Sequence, residues 1–256
     1  MNKISLITGA TSGIGKATAL LLAKNGYNLI ITGRRKELLS SLEDEIKIVS
    51  NSQVYKLCFD VRDRNQVENE IDNLPQKWKN IDLLVNNAGL SLGLDPLNEG
   101  SIDDWETMID TNIKGLLYMS RKVANLMIPR NCGHIINISS VAGKEVYPNG
   151  NVYCATKNAV EALTKGMRID LLKHNIKVGS VSPGMVETEF SIVRFHGDIE
   201  KASSVYYGLT PLYAEDIAEA IFFMVTRPPH VNIDDIFIMP TAQGSARDTI
   251  RNNDKK

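Results

Sequence analysis

The sequence predicts an α/β fold, a doubly wound and mostly parallel sheet of seven strands with helices on both faces. Three observations predict it. Short β-rich runs alternate with helical patterns along the whole chain, which argues for a parallel sheet covered on both sides. Right-handed crossovers then wind such a sheet in both directions. A glycine-rich turn joins the first strand to the first helix, and polar residues fall at the ends of the later strands, where open α/β sheets bind ligands.

Taken in order, strand 4–8 runs into Thr8-Gly9-Ala10-Thr11-Ser12-Gly13-Ile14-Gly15, and helix 14–24 follows. A strand, a glycine turn and a helix N-terminus make an anion cradle suited to a dinucleotide pyrophosphate. Strand 29–32 ends in Gly33-Arg34-Arg35 before helix 37–49. An acidic residue there would suit the ribose of NAD, whereas two guanidinium groups suit a 2′-phosphate and predict NADP. Cations oppose the dipole at a helix start, so the pair calls for a bound anion. Strand 54–59 leads to Asp60-Val61 and helix 64–73, and strand 83–85 leads to Asn86-Asn87-Ala88-Gly89. Helix 105–128 carries Asn112, a mediocre helix former.

Strand 134–138 ends in Ser139-Ser140, ahead of helix 152–172 with its apolar recurrence at Val152, Ala155, Ala159, Ala162 and Leu163. Tyr153 and Lys157 stand four residues apart on that helix and so share a face. An ammonium about 4 Å from a phenol is worth roughly 4 kcal/mol at a surface-like dielectric, enough to bring its pKa towards neutrality and make it a usable acid or base. Ser140 supplies a hydroxyl that could hold a substrate oxygen against the phenol. Cys154, next to Tyr153, points off that face and reads as a small packing residue. Strand 177–181 ends in Pro183-Gly184, residues 187–212 break the alternation where a lid would sit, and helix 214–225 and strand 236–239 complete the chain.

Composition excludes several classes. With 256 residues, 43% of them hydrophobic, and no composition break, the chain reads as one domain, 1–256. A net charge of -1 offers no attraction for nucleic acid or an anionic membrane. No apolar run reaches the ~18 residues that cross a bilayer. The stretch from Met1 to Leu6 lacks the regions of a signal peptide, and three scattered cysteines fit a reducing cytoplasm with no metal spacing.

The glycine turn Gly9-x-x-x-Gly13-x-Gly15, Asn86-Asn87-Ala88-Gly89, Asn112, Ser140, Tyr153-x-x-x-Lys157 and Pro183-Gly184 occur in the order and spacing of the short-chain dehydrogenase/reductases, which the chain resembles over essentially its whole length. The resemblance implies a Rossmann-type sheet. It makes Tyr153 the general acid/base, with Ser140 holding the substrate oxygen. Lys157 would lower the phenol pKa and bind the nicotinamide ribose, and Asn112 would anchor a water in a proton relay. It places Asp60 at the adenine, Asn86 on the adenosine side and Val186 and Thr188 at the carboxamide. With the strand-end residues these give a cofactor set of Gly9, Thr11, Ser12, Gly13, Ile14, Gly15, Arg34, Arg35, Asp60, Val61, Asn86, Ala88, Gly89, Tyr153, Lys157, Pro183, Gly184, Val186 and Thr188. Relatives that use NADP often carry a basic residue inside the glycine turn; Thr11 and Ser12 stand there, so the NADP expectation rests on Arg34 and Arg35.

The strings Asp104-Trp105-Glu106-Thr107-Met108-Ile109-Asp110-Thr111-Asn112 and Met185-Val186-Glu187-Thr188-Glu189-Phe190-Ser191 look like the branch of NADP-dependent 3-hydroxy acid dehydrogenases. That branch implies serine, allo-threonine and 3-hydroxypropionate, or the matching semialdehydes, as substrates. Such an acid carries a carboxylate that a buried site must pair, and Arg194, within 187–212, is the candidate partner. The competing expectations are a 3-ketoacyl or general carbonyl reductase, for which only Arg121, Lys122 and Arg130 offer a basic patch, and a silent NADP sensor, which would not need Ser140, Tyr153 and Lys157. Relatives imply a homotetramer built in part on helices 105–128 and 152–172.

Overall fold

The computed structural model describes residues 2–252, so Met1 and 253–256, the ends of the expected single domain, lie outside the described residues. Seven parallel strands form one sheet in the order β3-β2-β1-β4-β5-β6-β7. They are β1 Ile4–Ile7, β2 Asn28–Gly33, β3 Val54–Cys58, β4 Ile81–Asn86, β5 Gly133–Ile138, β6 Ile176–Pro183 and β7 Asp235–Ile238. The helices are α1 Gly13–Lys24, α2 Lys36–Val49, α3 Arg64–Asp72, α4 Ile102–Ile109, α5 Leu116–Met127, α6 Asn151–Leu171, α7 Phe190–Arg194, α8 Ile199–Ser204 and α9 Ala214–Val225.

Strand side chains alternate between faces, and both faces are covered, so β1, β2, β4 and β5 are mostly apolar and largely buried, with Ser5, Asn86, His134 and Asn137 among the buried polar exceptions. On one face Ile7 and Ile31 pack with Ala19 and Leu22 of α1, Leu39 and Leu42 of α2, and Ile217 and Ile221 of α9. On the other, Leu6, Ile30, Leu84 and Ile135 pack with Val67 of α3 and Met119, Val123 and Met127 of α5. Strand order reverses between β1 and its neighbours β2 and β4, which opens a crevice at the carboxyl ends.

A buried polar chain pins two helices to this sheet. The Asn86 amide on β4 donates to Ser120 Oγ of α5 and to Asn137 Oδ1 of β5, both at 2.8 Å. Asn137 donates in turn to Thr164 Oγ1 of α6 at 2.9 Å. Buried hydrogen-bond networks fix register, and this one, in which Asn86 Oδ1 alone lacks a partner among the described residues, sets α6, the bearer of Tyr153 and Lys157, against the sheet.

The expected helix 105–128 is three pieces. Ser101 Oγ accepts from Asp104 N–H and starts α4 earlier. Asp110–Gly115 is a π-helical turn, and α5 follows without a break. Residues 187–212 form an excursion closed at its base by a parallel bridge between Val186 and Leu212, and they hold α7 and α8. No helix of the described residues is long and apolar enough to cross a membrane.

Candidate active site

A cleft of about 590 Å³ runs along the carboxyl edge of the sheet from Arg34 to Arg194. At one end α1 begins directly after the glycine turn. Ser12 at its N-cap does not cap the helix with its side chain, which leaves the first-turn N–H groups for another acceptor. Gly13 has φ +51°, and a side chain there would press on the Thr188 methyl at 3.1 Å. A side chain on Gly15 would run into the Gly9 carbonyl and the Asn87 amide. Gly9, Thr11, Ser12, Gly13 and Ile14 line the cleft, and Gly15 packs beneath it. These features fit a dinucleotide pyrophosphate.

Further along, Asp60, Val61, Ala88, Gly89, Pro183, Gly184, Val186 and Thr188 all line the same cleft. The Asp60 carboxylate accepts from the Arg62 guanidinium at 2.7–3.1 Å. Burial works to raise its pKa, but the bonds from Arg62 hold it below the usual carboxylate value. Arg34 and Arg35 both stand at the mouth. Asn86 departs from expectation. Its side chain is turned into the sheet's buried polar chain, so it does not face the adenosine side. Asn87 lines the cleft instead, donating to the carbonyls of Thr8 and Gly9 at 2.9 and 3.0 Å. Successive side chains at a strand end point to opposite faces, and only one of this pair can face the crevice.

At the other end Ser140, Tyr153 and Lys157 meet, all of them buried. Ser140 Oγ accepts from Ala142 N–H at 3.1 Å, which leaves its own O–H to donate. Lys157 Nζ donates to the Ile138 carbonyl at 2.9 Å and lies 5.9 Å from the centre of the Tyr153 ring. Burial lowers the Lys157 pKa to about 8, against the charge of Glu161 one turn further on. Glu161 is held by Lys144 at 2.6 Å and by Ser182 Oγ at 3.0 Å. The expected fall in the Tyr153 pKa is absent from this state. Burial pushes the phenol well above its ordinary value and Tyr147 adds to the rise, while Arg194 and the Ser140 hydroxyl oppose it. Desolvation of the buried phenol outweighs the attraction of Arg194 and the hydrogen bond of Ser140.

Asn112 sits in the π-helical turn, where its side chain points inward to Leu90. It accepts from Leu90 N–H at 2.9 Å and donates to the Leu90 carbonyl at 2.8 Å and to Thr156 Oγ1 at 3.0 Å. The amide therefore ties the loop after β4 to α6, next to Lys157. Single-turn π-bulges of this kind are frequent at functional sites.

Arg194, on α7, reaches back into the cleft. Its Nη2 donates to the Tyr147 hydroxyl at 2.9 Å, and its guanidinium lies 5.2 Å from the Tyr153 ring centre and 5.0 Å from that of Phe190. Among the described residues its buried Nε has no partner and its guanidinium forms no ion pair; Asp198 is taken by Lys201. Tyr147 and Phe190 are cleft residues that sequence reasoning missed. The signal for Tyr147 was an aromatic residue in the loop between Ser140 and Tyr153, followed by Gly150, where a side chain would collide with its ring.

A switch-point crevice that joins an anion cradle to a Ser-Tyr-Lys group defines an oxidoreductase working through a dinucleotide. The chain belongs to the short chain dehydrogenase family, whose profile matches residues 3–197. The NADP-dependent 3-hydroxy acid dehydrogenase YdfG of Salmonella typhi is 48% identical over 244 residues, 95% of this chain and 97% of that one. Sulfoacetaldehyde reductase 2 of Chromohalobacter salexigens is 45% identical over 95% of this chain and 96% of its own. The closed form of a serine dehydrogenase complexed with NADP+ superposes with a TM-score of 0.92 at 45% identity, covering 98% of this chain and all of that one.

Proposed function

We propose that the protein is an NADP-dependent dehydrogenase of small 3-hydroxy acids such as serine, allo-threonine or 3-hydroxypropionate, or of their oxo or semialdehyde counterparts. The observation that carries this reading is Arg194, a cation inside the cleft with an unpartnered buried Nε, beside the ring of Tyr153. A partly buried guanidinium with no counter-ion among the described residues and an unpartnered Nε is costly, and a substrate carboxylate would relieve it. Arg194 and the Tyr147 hydroxyl would hold the acid group. That leaves the hydroxyl-bearing carbon towards Ser140 and Tyr153, with residues 187–212 as the lid above it.

Ser140 would donate to the substrate oxygen; in reduction the Tyr153 phenol, protonated at neutral pH, would give its proton to the carbonyl oxygen, and in oxidation the phenolate, once its own proton has left, would take the proton of the hydroxyl. Lys157 would hold the ribose, Asp60 the adenine, Arg34 the 2′-phosphate, and Val186 and Thr188 the carboxamide. When bound, the nicotinamide supplies or accepts the hydride. Relatives named for 3-hydroxy acids and for serine support the substrate class.

The named sulfoacetaldehyde reductase supports a second reading, since a guanidinium and a hydroxyl would also accept a sulfonate. A carrier-linked ketoester is disfavoured. Lys122 is neutralised by Asp72, Arg130 by Asp82, and Arg121 approaches Glu68, so the candidate basic patch is already paired. A cytoplasmic homotetramer is proposed with it, on the family resemblance alone.

Steady-state turnover with NADP(H) over serine, 3-hydroxypropionate, malonic semialdehyde, sulfoacetaldehyde, a neutral aldehyde and a ketoester tests the reading. The expected ranking puts acids and acid aldehydes first. A preference for the neutral aldehyde or the ketoester would overturn it.

A further inference from the structure

The two arginines at the end of β2 have unlike surroundings. Arg34 is 59% exposed, and its only ionic contact among the described residues is Asp60 at 3.9 Å, too long for a hydrogen bond. Arg35 is spent within the protein. Its Nε and Nη2 donate to Thr11 Oγ1 at 3.3 and 2.9 Å, and Nη2 also donates to Ser12 Oγ at 2.9 Å. Its Nη1 donates to Glu189 Oε2 at 2.9 Å. Of five N–H groups, four are engaged. Thr11 and Ser12 belong to the glycine turn, and Glu189 stands at the head of α7, where residues 187–212 leave the sheet. Thr188, its neighbour, already lies against Gly13. One guanidinium thus spans the mouth of the cleft, from the cradle after β1 to the excursion after β6.

We infer that Glu189 is a positioning residue for the cofactor, acting through Arg35: their ion pair straps the base of the lid to the glycine turn and slows the escape of a bound dinucleotide, while Arg34 discriminates the 2′-phosphate. The inference rests on the NADP reading above. It divides two roles between adjacent like residues. A strap touches what NADP and NAD have in common, so it retains both alike. A phosphate ligand touches what only NADP has, so it sets the ratio. Glu189 and Arg35 are each about half exposed, and a pair of that kind shifts an equilibrium by roughly two- to fivefold. Arg34 forms charge-assisted bonds to a phosphate, which are worth more than tenfold.

The test is stopped-flow release of NADPH and of NADH, followed by nucleotide fluorescence, with equilibrium titrations alongside. Glu189→Ala is expected to speed release of both nucleotides by the same two- to fivefold factor, with an unchanged melting temperature. The exchanged pair Arg35→Glu with Glu189→Arg is expected to restore slow release. Arg34→Ala is expected to abolish most of the preference for NADPH while leaving NADH release near wild type. Slower release of NADPH alone from Glu189→Ala would mean that Arg35 had been freed to bind the phosphate, and the inference would fail. Unchanged release, or an exchanged pair that releases as fast as either single variant, would also overturn it. A wild-type protein that retains neither nucleotide would remove the NADP reading itself, whereas NADPH binding with unaltered release from Glu189→Ala would remove only the strap.

Discussion

The guanidinium of Arg194 lies over the Tyr153 ring, 5.2 Å from its centre, so the group proposed to bind the acid and the ring proposed to move the proton are direct neighbours. Charge on one is felt by the other, and Arg194 already pulls the Tyr153 pKa down against the effect of burial.

Arg194→Ala is therefore expected to raise KM for serine and 3-hydroxypropionate by tenfold or more, at ~1.4 kcal/mol per decade. Tyr147→Phe removes a neutral hydrogen-bonding partner and should cost less, about three- to tenfold. A neutral aldehyde should be reduced by both variants within a few-fold of wild type. Initial rates on the charged and neutral substrates side by side check this, and equal losses on both would assign Arg194 to folding of the lid.

Tyr153→Phe is expected to lower kcat by roughly 10² or more while nucleotide binding persists. Lys157→Met is expected to damage both, since Lys157 is assigned the ribose as well as the electrostatics around the phenol. Fluorescence titration separates binding from turnover, and a near-normal kcat for Tyr153→Phe would remove the proton-transfer role.

Stability should carry the mark of Lys157 at alkaline pH. Burial lowers its pKa from 10.5 to about 8 in the folded chain, so between those values the unfolded chain binds more protons, and stability rises with pH. The cost of burying the ammonium is fully present below about pH 8 and fades as pH approaches 10.5. From pH 8 to 10, Lys157 should add on the order of 2 kcal/mol to the stability of the wild type, a gain missing from Lys157→Met. Urea unfolding of both proteins at the two pH values measures the difference, and parallel pH dependence would show that Lys157 keeps its charge.

The proposed tetramer is checked by light scattering at micromolar concentration. Ile169 and Leu172 at the end of the α6 region and Leu117 on α5 lie exposed on the chain considered alone, and association would cover such side chains. A monomer mass would contradict the proposal.

All seven strands were legible because β-rich runs recur between helical patterns, most plainly the buried β1 and β2, while the partly exposed edge strands β3 and β7 keep only short apolar stretches; β4 and β6 extend a residue or two beyond the run at each end. Tyr153 and Lys157 were legible as neighbours because a four-residue spacing on a helix translates directly into a shared face, whereas Ser140, off that helix just after β5, was chosen by the family's spacing to Tyr153. The choice between Asn86 and Asn87 was not, since both amides suit either a buried chain or a crevice, and the neighbour decides. Ser120 and Asn137 supply that neighbour for Asn86, from 34 and 51 residues away. The helices α7 and α8 were missed because five or six residues are too few to display a period. The phenol pKa was misjudged because sequence spacing places a charge near Tyr153 but says nothing of how dry the site is.

The π-helical turn at Asp110–Gly115 makes the length of this segment as constrained as its chemistry. Each residue of an α-helix turns the chain by roughly 100°, so the extra residue sets α4 and α5 out of phase with each other. Asn112 is aimed at Leu90 from within the turn, while Met119, Val123 and Met127 of α5 face the sheet beyond it. Excising one residue from 110–115 would restore regular hydrogen bonding yet swing either the amide or the methionine stripe away from its target. Insertions and deletions that an exposed loop would absorb are excluded here, and a chain that lacked Ile113 alone would keep Asn112 and every other motif yet lose the frame that aligns α4 with α5.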